Sequence, residues 1–160
     1  MKKNVELSSY CWFISSVSTA LLCGASVYVF KESGSVLAIS IWGIAIAILF
    51  LSALLFMPLS ISIDRDKLSI NRPLLKKSIR LSDIAEARLC SPTMGAIRLC
   101  GSGGWFGWFG WFKESDIGKY FAYYGKSSDC FLVTLKNGKK YMLGCEDAPA
   151  MVDAINANIN

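Results

Sequence analysis

Two long runs without a charged residue constrain this chain more than anything else in it. Tyr10 to Phe30 is a stretch of 21 residues and Val36 to Met57 a second of 22. A helix needs about 20 apolar residues to cross roughly 30 Å of hydrocarbon, so each run is long enough to span a bilayer. Lys31 to Ser35 between them leaves room only for a tight helical hairpin, and Pro58 supplies a stop just past the second run. Met-Lys-Lys ahead of an apolar run is also how a secretory signal begins. This run is longer than a signal core, a second follows at once, and Leu22 rather than a small residue precedes Cys23. A retained two-span anchor over residues 1–58, contacting the lipid bilayer through residues 10–30 and 36–57, is the expectation. Ala20 with Gly24 and Gly43 with Ala47 predict a close approach of the two helices. Neither run contains Asp, Glu, Lys or Arg, so a proton or ion pathway has nothing to run on.

The cations set the orientation. Lys2 and Lys3 precede the first run, and Arg65, Lys67, Arg72, Lys76 and Lys77 follow the second, whereas the hairpin has Lys31 alone beside Glu32. The positive-inside rule then predicts a cytoplasmic (inner) membrane protein with both termini cytoplasmic. In that compartment the six cysteines need not pair. None forms a CxxC pair, and small buried hydrophobes are their expected role.

Beyond Pro58 the pattern turns to short alternating runs. Residues 59–63, 68–72, 78–81 and 84–90 read as strands, with Asp64 to Lys67 as a polar turn and Pro73 as a break. Strands return at 119–124, 130–135 and 139–143, the last two joined through Asn137-Gly138, a strong hairpin signal. Asp147 as cap and Pro149 in the first turn predict a closing helix, with Met151, Val152, Ile155 and Ile159 on one face.

Seven strands and one C-terminal amphipathic helix in residues 59–160 are the layout of a pleckstrin-homology (PH) domain. With two N-terminal spans ahead of it, the chain resembles bacterial PH-domain membrane proteins. The segment Arg98-Leu-Cys-Gly-Ser-Gly-Gly104, with Phe106-Gly, Gly110-Trp-Phe112 and Ile117-Gly-Lys-Tyr120, is similar to a glycine and aromatic motif of one such group. The resemblance implies a two-helix transmembrane hairpin followed by a mainly β PH-like domain at a membrane. It implies no reaction and no particular ligand.

The residues themselves offer little chemistry. The chain has no histidine, which removes the commonest general base and metal ligand. Asp64, Asp66, Asp83 and Asp147 sit in turns and at a helix start, where carboxylates serve local geometry. Gly101-Ser-Gly-Gly104 lacks the Gly-Lys-Ser/Thr that completes a phosphate loop. No catalytic residue, metal site or cofactor is expected. Residues after 60 hold fourteen cations and ten carboxylates, an excess near +4, too small to predict nucleic-acid binding.

Two groups remain as candidate binding residues. Lys76, Lys77 and Arg80 are close enough in sequence to face anionic headgroups, each worth on the order of 1 kcal/mol near such a surface. Trp105, Phe106, Trp108, Phe109, Trp111 and Phe112 form three Gly-Trp-Phe triplets in an expected insertion at about 91–118. A period of three matches neither strand nor helix, so no single apolar face is predicted. Six exposed rings would make a patch near ~1,000 Å², beyond the ~300–600 Å² usual for a monomer, so the segment has to be covered. The domain's own barrel, another subunit and the bilayer interface are the available covers. Arg98, Lys113 and Lys119 flank it and are placed to stack on ring faces. The expected function is a non-enzymatic, membrane-anchored interaction or scaffolding module, working by self-association or with another membrane protein. The alternative is a module that binds anionic lipid or a small ligand through the basic strands and the Gly-Trp-Phe segment.

The topology is testable by labelling. With the native cysteines replaced, a cysteine at Ser33 should react with a membrane-impermeant reagent on intact cells and one at Asn160 should not. The reverse pattern would invert the orientation.

Overall fold

The computed structural model describes residues 1–159. The chain opens with a short strand, β1 (Lys2–Asn4), before the two long helices α1 (Ser9–Glu32) and α2 (Val36–Phe56). Both helices are long and apolar enough to cross a membrane. Each starts at a serine cap: Cys11 N donates to Ser8 Oγ and Ala38 N to Ser35 Oγ. The small residues do not bring the helices together, because a β-carbon on Gly24 or Gly43 would meet nothing within 4 Å. A hydrogen bond from Trp42 Nε1 to Ser26 Oγ, 3.2 Å long, ties them instead.

Ten strands follow or precede these helices in two sheets, with one C-terminal helix. The first sheet runs in the order β1, β2 (Ser60–Asp64), β3 (Lys67–Asn71), β4 (Lys76–Arg80), all antiparallel. The second holds β5 (Ile84–Leu89), β6 (Ile97–Gly104), β7 (Gly107–Glu114), β8 (Gly118–Tyr124), β9 (Cys130–Leu135) and β10 (Lys140–Gly144). Its order is β5, β9, β10, β8, β7, β6, with β8 and β10 the parallel pair. The inner faces of the two sheets enclose the main core of Ile61, Leu68, Ile70, Phe131, Val133 and Leu143. Helix α3 (Ala148–Ala157) closes it with Met151, Val152 and Ile155, and Ile159 packs at its edge. Asn156 grips strand β5, donating to the Ala87 carbonyl at 2.9 Å and accepting from Ala87 N at 3.3 Å.

The structure departs from the expected seven strands in two places. Lys2–Asn4, placed by sequence with the anchor, pairs with Ser60–Ser62 of β2. Three residues are too few for an alternating pattern to announce a strand. The larger departure is the segment 91–118, which is no insertion between strands: it supplies β6 and β7, which extend the second sheet as a hairpin. Gly101 and Gly110 face each other in its ladder at φ 127° and 124°. A β-carbon on Gly110 would collide with the Cys100 carbonyl, and one on Gly101 with that of Phe109. Only glycine fits where the two backbones come this close.

Asp147 occupies the cap position of α3 as expected, but in the left-handed region at φ 56° and without a side-chain capping bond. Its carboxylate instead accepts from Lys3 Nζ at 2.9 Å, so the N-terminal strand and the closing helix hold each other.

Replacing Ile155, which is fully buried, by alanine should destabilise the protein by about 2–5 kcal/mol. Denaturant unfolding of the detergent-solubilised chain, followed by near-ultraviolet circular dichroism, reads this. An unchanged midpoint would mean that α3 does not close the core.

Candidate functional site

A strand turns the Gly-Trp-Phe repeat into two aromatic faces. Side chains alternate along β7, so Trp108 and Phe112 point one way and Phe109 and Trp111 the other. Phe112 is buried in a second core cluster on the outer side of the sheet, with Tyr120, Ala122, Tyr124, Leu132 and Met142, and Trp108 packs against it. Phe109 belongs to the main core. Trp111 is 38% exposed, meets Phe121 edge-on at 5.1 Å, and carries Lys119 Nζ over its ring at 4.5 Å. The expected stacking of a flanking cation is therefore present at Lys119.

The hairpin extends past the four-stranded sheet, and the ends of both long helices cover what that sheet leaves open. Ser15 of α1 accepts from Phe106 N at 2.8 Å, and Tyr10 stacks on Trp108 at 6.4 Å. From α2, Phe50 meets Trp105 at 5.5 Å and Phe56 stacks on Phe109 at 6.2 Å. Ser15 and Phe50 each lie six residues inside their helix ends, so the hairpin tip stands roughly 9 Å up the helices. Cys11 Sγ donates to the Gly125 carbonyl at 3.3 Å on the same side. Arg72 sits 5.7 Å from the rings of both Phe56 and Tyr123, bridging α2 to the core.

Between hairpin and helices a cleft of about 620 Å³ remains, within the ~300–1,000 Å³ range of ligand sites. Ile14, Leu49 and Phe56 form its helix wall, and Trp105, Phe109 and Trp111 its hairpin wall. Arg98 is its single charged residue. Its guanidinium lies over Gly103 beside Trp108, where a β-carbon at Gly103 would come 2.5 Å from Nη1 and 3.5 Å from the indole. Arg98 forms no ion pair among the described residues. Trp105 Nε1 is buried without an acceptor.

Strand register divides the other candidate group. Lys76 pairs with Asn71, which in turn pairs with Ser60, at the end of the sheet nearest α2. Arg80 pairs with Lys67 at the far end, roughly 13 Å away, and bonds Asp83 at 3.1 Å. Lys77 lies between them with Nζ 4.8 Å from the Tyr141 ring centre. These three residues do not form one patch, and none of them lines the cleft. The Gly-Trp-Phe rings are brought together, in part with residues that sequence reasoning had not linked to them: Tyr10, Ser15, Phe50 and Phe56. Aromatic residues near the ends of the apolar runs were the available signal.

A bacterial PH-domain family model matches residues 59–159. The chain belongs to the bacterial PH-domain family. No curated protein and no solved structure matches it. In this PH domain the matched region begins at β2, so β1 comes from outside it and the two helices lie between the paired strands.

The buried carboxylate of the PH domain is tied up structurally. Glu114 accepts from the Tyr120 hydroxyl, from Thr93 N at 3.1 Å and from Thr93 Oγ1 at 2.7 Å, which pins the segment before β6 over the outer cluster. Burial pushes the Cys145 thiol up to about 12 and moves Cys130 further in the same direction. Burial also raises Tyr120, Tyr123 and Tyr124, with the bond to Glu114 adding to the shift of Tyr120. Thiols held neutral in this way are poor nucleophiles. Among the described residues no group of His, Cys, Asp and Glu is placed to hold a metal.

These shifts fix the sign of a pH effect. Below the ordinary values of 9.0 for the thiols and 10.0 for the phenols, both states are neutral and the groups contribute no pH dependence. Above them only the unfolded chain ionises, so stability falls with rising pH, by about 1.4 kcal/mol per unit for each such group. Urea midpoints should therefore drop between pH 8 and pH 11. Absorbance titration should leave Tyr120, Tyr123 and Tyr124 un-ionised until unfolding. Six tyrosines titrating together near their ordinary value in the folded protein would contradict the buried outer cluster.

Proposed function

We propose that the protein is a non-enzymatic interaction module of the bacterial cytoplasmic membrane, in which a PH domain is held at fixed height and orientation on the bilayer. The observation that carries this reading is the hairpin β6–β7 lodged against both helices, with its outer strand left as an open sheet edge. β6 is the last strand of its sheet, and Ile97 and Leu99 on it are 64% and 51% exposed. An unpaired strand with exposed apolar side chains is suited to strand addition by a partner, a second copy or another membrane protein. The cation asymmetry supports cytoplasmic termini, and β1 beside β2 and α3 keeps the N-terminus with the domain. Tyr10, Trp12 and Trp105 near the helix ends are the residue types favoured at a headgroup layer.

A second reading, contact with anionic headgroups, is favoured by the turn between β3 and β4. Leu74 and Leu75, 56% and 50% exposed, stand beside Lys76 at the sheet end where Arg72 meets Phe56.

Photocrosslinking side chains placed at Leu99 and at Leu75 in native membranes test both readings. Discrete protein adducts from Leu99 are the expected result. Lipid adducts from Leu75 with none from Leu99 would replace the first reading by the second, and the absence of adducts at both positions would remove both.

A further inference from the structure

The free edge of β6 has two unlike faces, and nothing in the described chain completes either of them. Helix α1 covers only its tip, where Ser15 Oγ donates to the Gly104 carbonyl at 3.5 Å. Residues 97–101 are all exposed, and Ile97 lies up to roughly 23 Å from Gly104 along an extended strand. Ile97 pairs with Lys113 and so shares a face with Trp111, whereas Arg98 pairs with Phe112 and shares the opposite face with Trp108. One face of the edge is therefore apolar at Ile97 and the other cationic at Arg98. Among the described residues Arg98, Lys113 and Lys119 form no ion pair. Between residues 97 and 119 the only exposed carboxylate set against these cations is Asp116, since Glu114 is buried.

We propose that β6 takes up, by strand addition, a short extended segment of another protein that has one apolar and one acidic face. The proposal rests on the interaction reading above and names the chemistry of its partner. The segment's backbone continues the sheet beside residues 97–101, and its apolar side chains lie next to Ile97. Its carboxylates reach the Arg98 guanidinium, which lies over Gly103 where no side chain of the strand stands in the way. Opposite charges across a strand pair are favourable and like charges are not, so Arg98 selects acidic over basic segments. The unpaired Lys113 and Lys119 add to the positive field that steers such a segment inward. Leu99 has no partner on β7, because the ladder shifts by one residue between Arg98 and Cys100. A bulge of this kind bends an edge and shortens the stretch that can be paired, so the segment is a few residues long. A second copy fits poorly. Its β6 contains no carboxylate to meet Arg98, and Gly101, Gly103 and Gly104 have no side chains to cover Ile97.

The probe is the peptide Ser-Val-Glu-Val-Glu-Val-Ser, amidated and carrying a neutral dye, which reads the same in both directions and so serves parallel or antiparallel addition. The full-length chain with a photocrosslinking side chain at Leu99 is held in phosphatidylcholine nanodiscs and irradiated with millimolar peptide. Labelling should exceed that obtained with the crosslinker at Lys136 in the β9–β10 turn. Replacing both glutamates of the peptide by lysine should lower it by about threefold or more, the scale of exchanging an attractive cross-strand pair for a repulsive one. Arg98→Glu should invert that preference and Arg98→Gln should erase it, each in protein whose near-ultraviolet circular dichroism matches the parent. A peptide N-methylated at every residue, which cannot donate to a ladder, should not label. Equal labelling by the acidic and basic peptides overturns the proposal, as does a preference that neither Arg98 variant changes. Labelling by the N-methylated peptide, or none above the Lys136 control, overturns it as well. Protein adducts from Leu99 in native membranes without peptide labelling would remove this partner and leave the interaction reading standing, whereas absence of both would remove both.

Discussion

The docking of the β6–β7 hairpin against the ends of α1 and α2 is the contact on which the rest of this structure depends. Four rings on the hairpin and helices meet in pairs, Phe50 with Trp105 and Phe56 with Phe109, and Ser15 fastens the tip through Phe106 N. Each aromatic pair is worth about 0.5–1.5 kcal/mol beyond its buried area. Several together exceed what a short linker contributes to holding a domain. The hydrogen bond matters for a further reason. A backbone N–H at this depth has little water to turn to, and losing its partner costs about 1–3 kcal/mol. Without the docking, Phe109 and Trp105 would be uncovered, the cleft would lose a wall, and the inner face of the extended sheet would stand open.

What the sequence revealed follows from where its patterns are simple. The apolar runs were legible because length and absence of charge suffice to define them. The hairpin at Asn137-Gly138 and the apolar face of α3 were legible because each follows the period of its own element. The Gly-Trp-Phe segment was not, because a strand normally announces itself by one apolar and one polar face. Here a triplet repeat on a period-two element sends Trp to one face and then the other, with Phe opposite. Both faces become aromatic: one is covered by the second core cluster, and on the other Phe109 is covered by the main core and Phe56 while Trp111 stays 38% exposed. The need for a cover was readable from area alone, and the identity of the cover was not.

The basic residues show a different limit. Lys76, Lys77 and Arg80 are neighbours in sequence, yet a strand advances about 3.3 Å per residue and alternates sides. Register then places Lys76 by the helices and Arg80 at the far turn with Asp83. Arg98, named only as a flanking cation, is the single charged residue that lines the cleft, and its guanidinium lies over Gly103 beside Trp108. Which cation lines the cleft was set by tertiary placement, with no local signal to separate them.

The order of the chain explains why the domain sits firmly. β1 and β2 pair as an antiparallel hairpin, Lys2 with Ser62 and Asn4 with Ser60, and their connection is residues 5–59, the two helices themselves. A flexible connection of that length would carry a large closure cost. A helical hairpin returns its own ends to the same side, so the connection arrives nearly closed. The domain is thereby held by two chain crossings, reinforced by the Ser8 amide on the Gly125 carbonyl and by Lys3 on Asp147. One crossing would leave a pivot; two crossings with a docked hairpin between them remove it. A PH fold fixed in this way holds its open strand β6 in one direction relative to the two helices, which is the geometric condition that the proposed pairing with a neighbour in the same membrane requires.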